Sequence, residues 1–237
     1  MTSSLDSLAR FYDLGKKGQW NAADVPWHLP LVPDHRASER RREVWRSIIT
    51  QQYQADLYAV QAAAQFVVMA QDEARHVEVW SRMANAFGGP AEFDPYLAEM
   101  GQWVLEAQEI ELKIIPLQVF FEGMAISAFR EIAQTVPDTV LGDVCTRLAK
   151  DDSIHHGFGC AYAGVLLERA SPAHIRYLSE KTSKFWPLYK AHVLWRPKAR
   201  AWMAAAMKER DREILKSRAA FSRRMISELG LSFTIDE

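Results

Sequence analysis

QDEARHVEVW, residues 71–80, and KDDSIHHGFG, residues 150–159, are two copies of one pattern in this chain. Each has an acidic pair followed by a histidine, and aligning them superposes Glu73 on Asp152 and His76 on His155. In a helix, residues i and i+3 share a face with Cβ atoms about 5–6 Å apart, so each copy presents a carboxylate and an imidazole to one metal ion. A single E-x-x-H arises by chance on charged helices. Two copies on separate helices are far more specific. Di-metal sites in helix bundles join two such motifs to one further carboxylate from each of two other helices, all pointing inward. The rest of the chain must therefore supply two more carboxylates.

Glu122 meets that demand for the second copy. It interrupts an apolar helical face made by Ile115, Val119, Ile126, Phe129 and Ala133, where an uncompensated carboxylate is costly and a metal ion offsets the cost. Glu122 and Asp152 are 30 residues apart with Pro137 midway, where an antiparallel pair must reverse if the two are to meet at one height. The first copy is less tidy. Glu43 stands the same 30 residues before Glu73, but at about 100° per residue it points away from the stripe of Trp45, Ile49, Val60 and Ala63. Asp56 points into that stripe and is preferred, yet it lies only 17 residues before Glu73. On one continuous helix the two would be about 25 Å apart. Asp56 therefore requires either a tight hairpin near Ala62–Gln65 or a long helix exchanged with a second subunit.

Working outward, the chain reads as all-α from Ser38 almost to its end, with no sustained period-2 alternation. Gly88, Gly89 and Pro90 end one helix, and Asp94-Pro95 starts the next. Pro116 is expected to kink or split its helix. Pro137-Asp138 makes a turn, Ser171-Pro172 and Pro197 begin further helices, and Gly230 closes the last, giving about six helices. Residues 1–36 carry Pro26, Pro30 and Pro33 among Trp20 and Trp27, which predicts an irregular arm lying over a four-helix core at 38–168, followed by C-terminal helices at 172–230. The expected organisation is a single domain.

Composition sets the broad class. In 237 residues, 49% are hydrophobic, enough for one sizeable core, and Lys+Arg 29 against Asp+Glu 30 leave a formal charge of -1. No global field is available to attract nucleic acid. The basic run Lys198, Arg200, Lys208, Arg210, Arg212, Lys216, Arg218, Arg223, Arg224 is interspersed with Ala and Met and reads as a solvated helix face, or as a dock for an acidic redox partner. Cys145 and Cys160 make no disulfide framework and fit a reducing compartment. The most apolar stretch, IIPLQVFF, stops at Glu122, and the start of the chain lacks a signal-peptide run. The expectation is a soluble cytoplasmic protein with no membrane association.

The motifs DEARH at 72–76, FEGMAISAFR at 121–130, DDSIHHGFG at 151–159 and TQQYQAD at 50–56 resemble the ferritin-like di-iron oxidase and oxygenase superfamily over about residues 40–165. That superfamily includes the ribonucleotide reductase small subunit, multicomponent monooxygenases and arylamine N-oxygenases. The resemblance implies a ferritin-like bundle holding two Fe ions, with Mn or mixed Mn/Fe as variants. The implied ligands are Asp56, Glu73, His76, Glu122, Asp152 and His155. It further implies that Asp72 holds His155 and Asp151 holds His76, with Arg75 neutralising part of the buried charge. Mixed imidazole and carboxylate ligands suit iron or manganese.

Two departures narrow the reading. Where the reductase small subunit places its oxidisable tyrosine, seven residues after the first-motif glutamate, this chain has Trp80, so no tyrosyl radical forms there. Where arylamine N-oxygenases carry an additional histidine, it has Leu148. The implied activity is dioxygen-dependent oxidation of a C–H or N–H bond in a small-molecule substrate, with Ile126 and Phe129 lining an apolar pocket. The implied partners are dioxygen, that substrate, an electron donor such as a ferredoxin or flavin reductase, and a second copy of the chain in a homodimer. Iron handling without an organic substrate and a metal-free helical scaffold are the competing classes.

Overall fold

The computed structural model describes residues 14, 15, 17–33, 38–62, 67–197 and 204–236. Its elements are α1 (Glu39–Ala62), α2 (Val67–Ala86), α3 (Pro95–Glu106), α4 (Glu111–Ile114), a π-helical segment (Ile115–Glu122), α5 (Gly123–Thr135), α6 (Val140–Glu168), α7 (Pro172–Ser183), α8 (Phe185–Leu194) and α9 (Ala204–Glu228). No strand occurs among the described residues, and the architecture is the expected all-α, ferritin-like bundle.

Two hairpins form the core: α1 packs along α2, and the π segment with α5 packs along α6. The second turns where the sequence predicts. Thr139 accepts a hydrogen bond from the Gly142 N–H and donates its hydroxyl to the Val136 carbonyl. A Cβ on Gly142 would stand 2.2 Å from the Val136 carbonyl oxygen, so only glycine permits this turn around Pro137. In the first hairpin, α1 ends at Ala62 and α2 starts at Val67; the proposed turn at Ala62–Gln65 falls on residues 63–66, which lie outside the described residues. Other helix ends follow their capping chemistry. Asp94 accepts from the Tyr96 and Leu97 N–H groups, Ser171 accepts from His174, and Gly88, Gly89 and Gly230 take positive φ.

Pro116 does not split its helix. The chain runs continuously from Glu111 to Thr135, and it widens to π geometry over Ile115–Glu122 instead. A π turn accommodates the missing N–H and the ring of proline without breaking the helix. Glu111–Thr135 is long and apolar enough to cross a membrane by length and composition, but 56% of its most apolar window is buried. Here it is a core helix of the bundle.

The arm is pinned along the described part of its length. Val25 and Val32 are buried, and the Trp27 indole donates to the Ala22 carbonyl. The Pro30 and Leu31 carbonyls accept from the Val140 and Leu141 N–H groups, two donors that the start of α6 leaves without helical partners. Residues 1–13, 16 and 34–36 of the predicted arm lie outside the described residues. Helices α7 to α9 and the C-terminal segment cover the other end, where Trp186, Tyr189, Met225 and Ile235 join Ile115, Val119 and Phe120 in one apolar cluster.

Of the basic run, Lys208, Arg210, Arg212, Lys216, Arg223 and Arg224 are exposed on α9 as expected. Lys198 and Arg200 lie outside the described residues. Arg218 departs from the expectation, because it is only 9% exposed.

Candidate metal centre

The two hairpins set the height of the acidic residues. Asp56 lies six residues before the end of α1 and Glu73 six residues after the start of α2, each about 9 Å from the turn by helical rise. The same logic brings Glu122 and α6 to one level across the Pro137 turn. Ligand atoms of Asp56, Glu73 and His76 all lie within 4.8 Å of one another, as do those of Glu73, Glu122 and His155. Glu73 belongs to both sets and so stands between two potential metal positions. Glu43 is elsewhere: half-exposed, it pairs with Arg46 at 2.9 Å. The structure therefore brings Asp56 to the cluster and leaves Glu43 out.

Asp152 is buried beside the same groups, in the electrostatic range of Glu122, Glu73, His76 and His155, but it belongs to neither compact set. Its side chain is one methylene shorter than that of Glu73, its counterpart in the first motif.

Each imidazole is fixed from behind. His76 Nε2 lies 3.2 Å from Asp151, and His155 Nε2 lies 3.1 Å from Asp72, so each motif's acid holds the histidine of the other. With Nε2–H donated in this way, Nδ1 is left as the lone-pair atom facing the cluster, 3.5 Å from Glu73 in His76 and 3.3 Å from Glu73 in His155. Arg75, 9% exposed, bonds Asp72 at 2.7 Å and Asp151 at 3.1 Å and balances the two acids.

The arm reaches this network, which the sequence did not reveal. Gln19 donates to Asp72 at 2.8 Å and accepts from Arg75 at 3.0 Å, while the Trp20 indole donates to Asp151 at 2.7 Å. The Trp20 ring also lies under the Arg75 guanidinium at 4.6 Å and stacks near His76. The only signal in the sequence was the length of the arm and its tryptophans.

The cluster itself is unsatisfied. Asp56 Oδ2, Glu73 Oε2, His76 Nδ1, Glu122 Oε2 and His155 Nδ1 are all buried without a hydrogen-bond partner. Burial, then the neighbouring Glu73, holds the Asp56 carboxyl well above the usual range, and burial with Glu122 does the same to Asp152. Glu122 is also raised by burial. Glu73 moves the other way: burial would raise it, but His76 and His155 together bring it down to about 2. Both imidazoles are raised despite burial, His76 chiefly by Glu73 and His155 chiefly by Glu122. A divalent cation takes the place of the protons that these buried, mutually facing carboxylates and imidazoles otherwise hold, so the residues fit a pair of metal ions.

Ile126 and Phe129 are buried, and Phe129 stacks on Trp80 within the core. His156, rotated away from the cluster, is half-buried and lies 3.1 Å from the Gln118 carbonyl, in the π segment.

Fold and site geometry together define a ferritin-like helical bundle with carboxylates and imidazoles converging on its interior. Among solved structures, the chain is similar to R2-like ligand-binding oxidases. One single-site variant with an aerobically reconstituted Mn/Fe cofactor matches at TM-score 0.66 and 14% identity, covering 94% of this chain and 91% of that one. Another, with an aerobically reconstituted Fe/Fe cofactor, matches at TM-score 0.64 and 14% identity, over 94% and 90%. At this identity the likeness establishes the fold. No family model and no curated protein matches the chain.

Proposed function

We propose that this protein is a di-metal oxidoreductase that uses dioxygen to oxidise a small organic substrate by hydroxylation, desaturation or N-oxidation. The observation that carries the reading is the set of five buried, partnerless ligand atoms from Asp56, Glu73, His76, Glu122 and His155 facing one another inside the bundle. Asp152, buried beside them, completes the proposed ligand set. The named cofactors of the similar structures, Mn/Fe and Fe/Fe, agree with the imidazole and carboxylate donors here.

Two such ions, when bound, would supply the redox chemistry of dioxygen reduction. The chain's own residues do the rest. Asp72 and Asp151 fix each imidazole with Nδ1 inward, and Arg75 orients those two acids. Trp80, Met83, Phe129 and Leu148 form an apolar cluster within the same core, which keeps water from the bundle interior. Electrons would come from a donor protein such as a ferredoxin or flavin reductase, and a homodimer remains the proposed assembly.

Metal-loaded protein, reduced without air and then mixed with oxygenated buffer, should consume dioxygen in proportion to its bound metal. Absence of metal-dependent consumption would overturn the proposal. Continued oxidation of many Fe(II) ions per chain would replace it with iron handling.

A further inference from the structure

A cavity of about 380 Å³ lies between α1, α5, α8 and α9, within the roughly 300–1,000 Å³ range of small-molecule sites. Trp45, Ile48, Ile132, Val193 and Ile214 give it apolar walls, while Tyr189, His192 and Arg218 give it a polar end. The charged groups on its lining are matched with one exception. Arg196 pairs with Asp211, Arg210 with Glu131, and His192 with Asp94 at 2.8 Å.

The exception is Arg218. It is 91% buried, its only described partners are the hydroxyls of Ser127 and Tyr189, and its Nε has no acceptor at all. A guanidinium cannot shed its proton to escape burial, so an unpaired one inside the fold is strongly disfavoured until an anion meets it. A carboxylate fits its planar fork. The site also has an axial relation to the metal centre. Gln52, on the cavity wall, is one turn before Asp56, and Ser127, which Arg218 bonds, is five residues after Glu122, about 6–8 Å along each helix.

We infer that this cavity binds an organic acid, with its carboxylate on Arg218 and Tyr189, at the end nearer Asp56 and Glu122, and its apolar body running away from them along α1 and α5 past Ile48 and Ile132 toward Trp45. The inference rests on the oxidoreductase reading for its purpose, since it names the substrate class, but the binding step stands on the cavity alone. The acid group is thereby held at the end of the cavity nearer the proposed metal centre.

Calorimetric titration with 4-phenylbutyrate and with its neutral amide, 4-phenylbutanamide, tests this on the full chain, with metal content measured on the same preparation. The acid should bind roughly tenfold or more tightly than the amide, the scale of one buried charge-assisted pair. Arg218→Met should erase that preference without changing metal content, and Arg218→Lys should keep part of it. Equal binding of acid and amide to the wild-type protein, or no binding of either, overturns the inference and requires no variant to fold. Preferential acid binding by a protein that takes up no metal would leave this site standing and remove the oxidoreductase reading instead.

Discussion

His155 and Asp72 meet across the bundle, Nε2 to Oδ2 at 3.1 Å, although 83 residues separate them in sequence. This contact, crossed with that of His76 and Asp151, locks α2 to α6 at the level of the metal centre. Removing the acid frees the ring to turn and lets its tautomer change. Asp72→Asn should lower metal affinity by about 10–100-fold with helical content retained, read by competition with a chelating indicator. Affinity within a factor of two of wild type would show that the contact does not position a ligand.

Trp20 gives the arm its shortest side-chain bond to the site, beside those of Gln19. Trp20→Phe keeps a ring under Arg75 but deletes the 2.7 Å bond to the Asp151 carboxylate. A hydrogen bond to a charged acceptor supports a loss of about 1–3 kcal/mol in urea unfolding. An unchanged midpoint would mean that the arm is held by its apolar contacts, Gln19 and the backbone bonds to α6 without it.

Close approach of the π segment to α6 depends on Gly159, where a Cβ would stand 2.6 Å from the Cβ of Gln118. Both atoms are anchored directly to backbone, so neither can swing aside. Gly159→Ala should destabilise by about 1–3 kcal/mol in chemical denaturation, against the few tenths gained by an alanine on an open helix face. Stabilisation would show that the two helices separate at little cost.

Protonation opposes the metals. Asp56, Asp152, Glu122, His76 and His155 are all raised in the metal-free fold, so the folded chain holds more protons than the unfolded chain. Their contribution to stability is greatest in acid and is lost as pH rises, from about 4 for the carboxyls and about 6.5 for the histidines. Glu73 has the opposite sign, but its window lies between about 2 and 4.5. Metal uptake should therefore release protons, and the Tm gap between metal-loaded and metal-free protein should widen from pH 5 to pH 8. A constant or narrowing gap would contradict this account of the site.

The meeting of Glu122 with His155 was readable because its signals are local. Glu122 breaks an apolar face, Pro137 marks the reversal, and the DDSIHH repeat places Asp152 and His155 on one face of α6. The first half-site hid its hairpin. LYAVQAAAQFVVMAQ contains neither glycine nor proline, so local turn chemistry gives no sign that α1 stops at Ala62 and α2 starts at Val67. Packing of α1 on α2 decides it. Trp20 on Asp151 spans 131 residues, and no periodicity announces such a contact. Arg218 sat in a run of solvated basic residues, and only the packing of α9 over α5 and α8 separates it from them. Pro116 was read by its usual effect, and the π geometry that absorbs it is a response of the packed core.

The central claim is that two metal ions occupy the bundle between α1, α2, α5 and α6. Elemental analysis of protein reconstituted with Fe(II) and Mn(II) and freed of loose metal tests it most directly. The account predicts about two ions per chain, as di-metal bundles hold, falling to one or none in Glu122→Ala and His155→Ala. A folded wild-type protein that retains no more metal than these variants would contradict it.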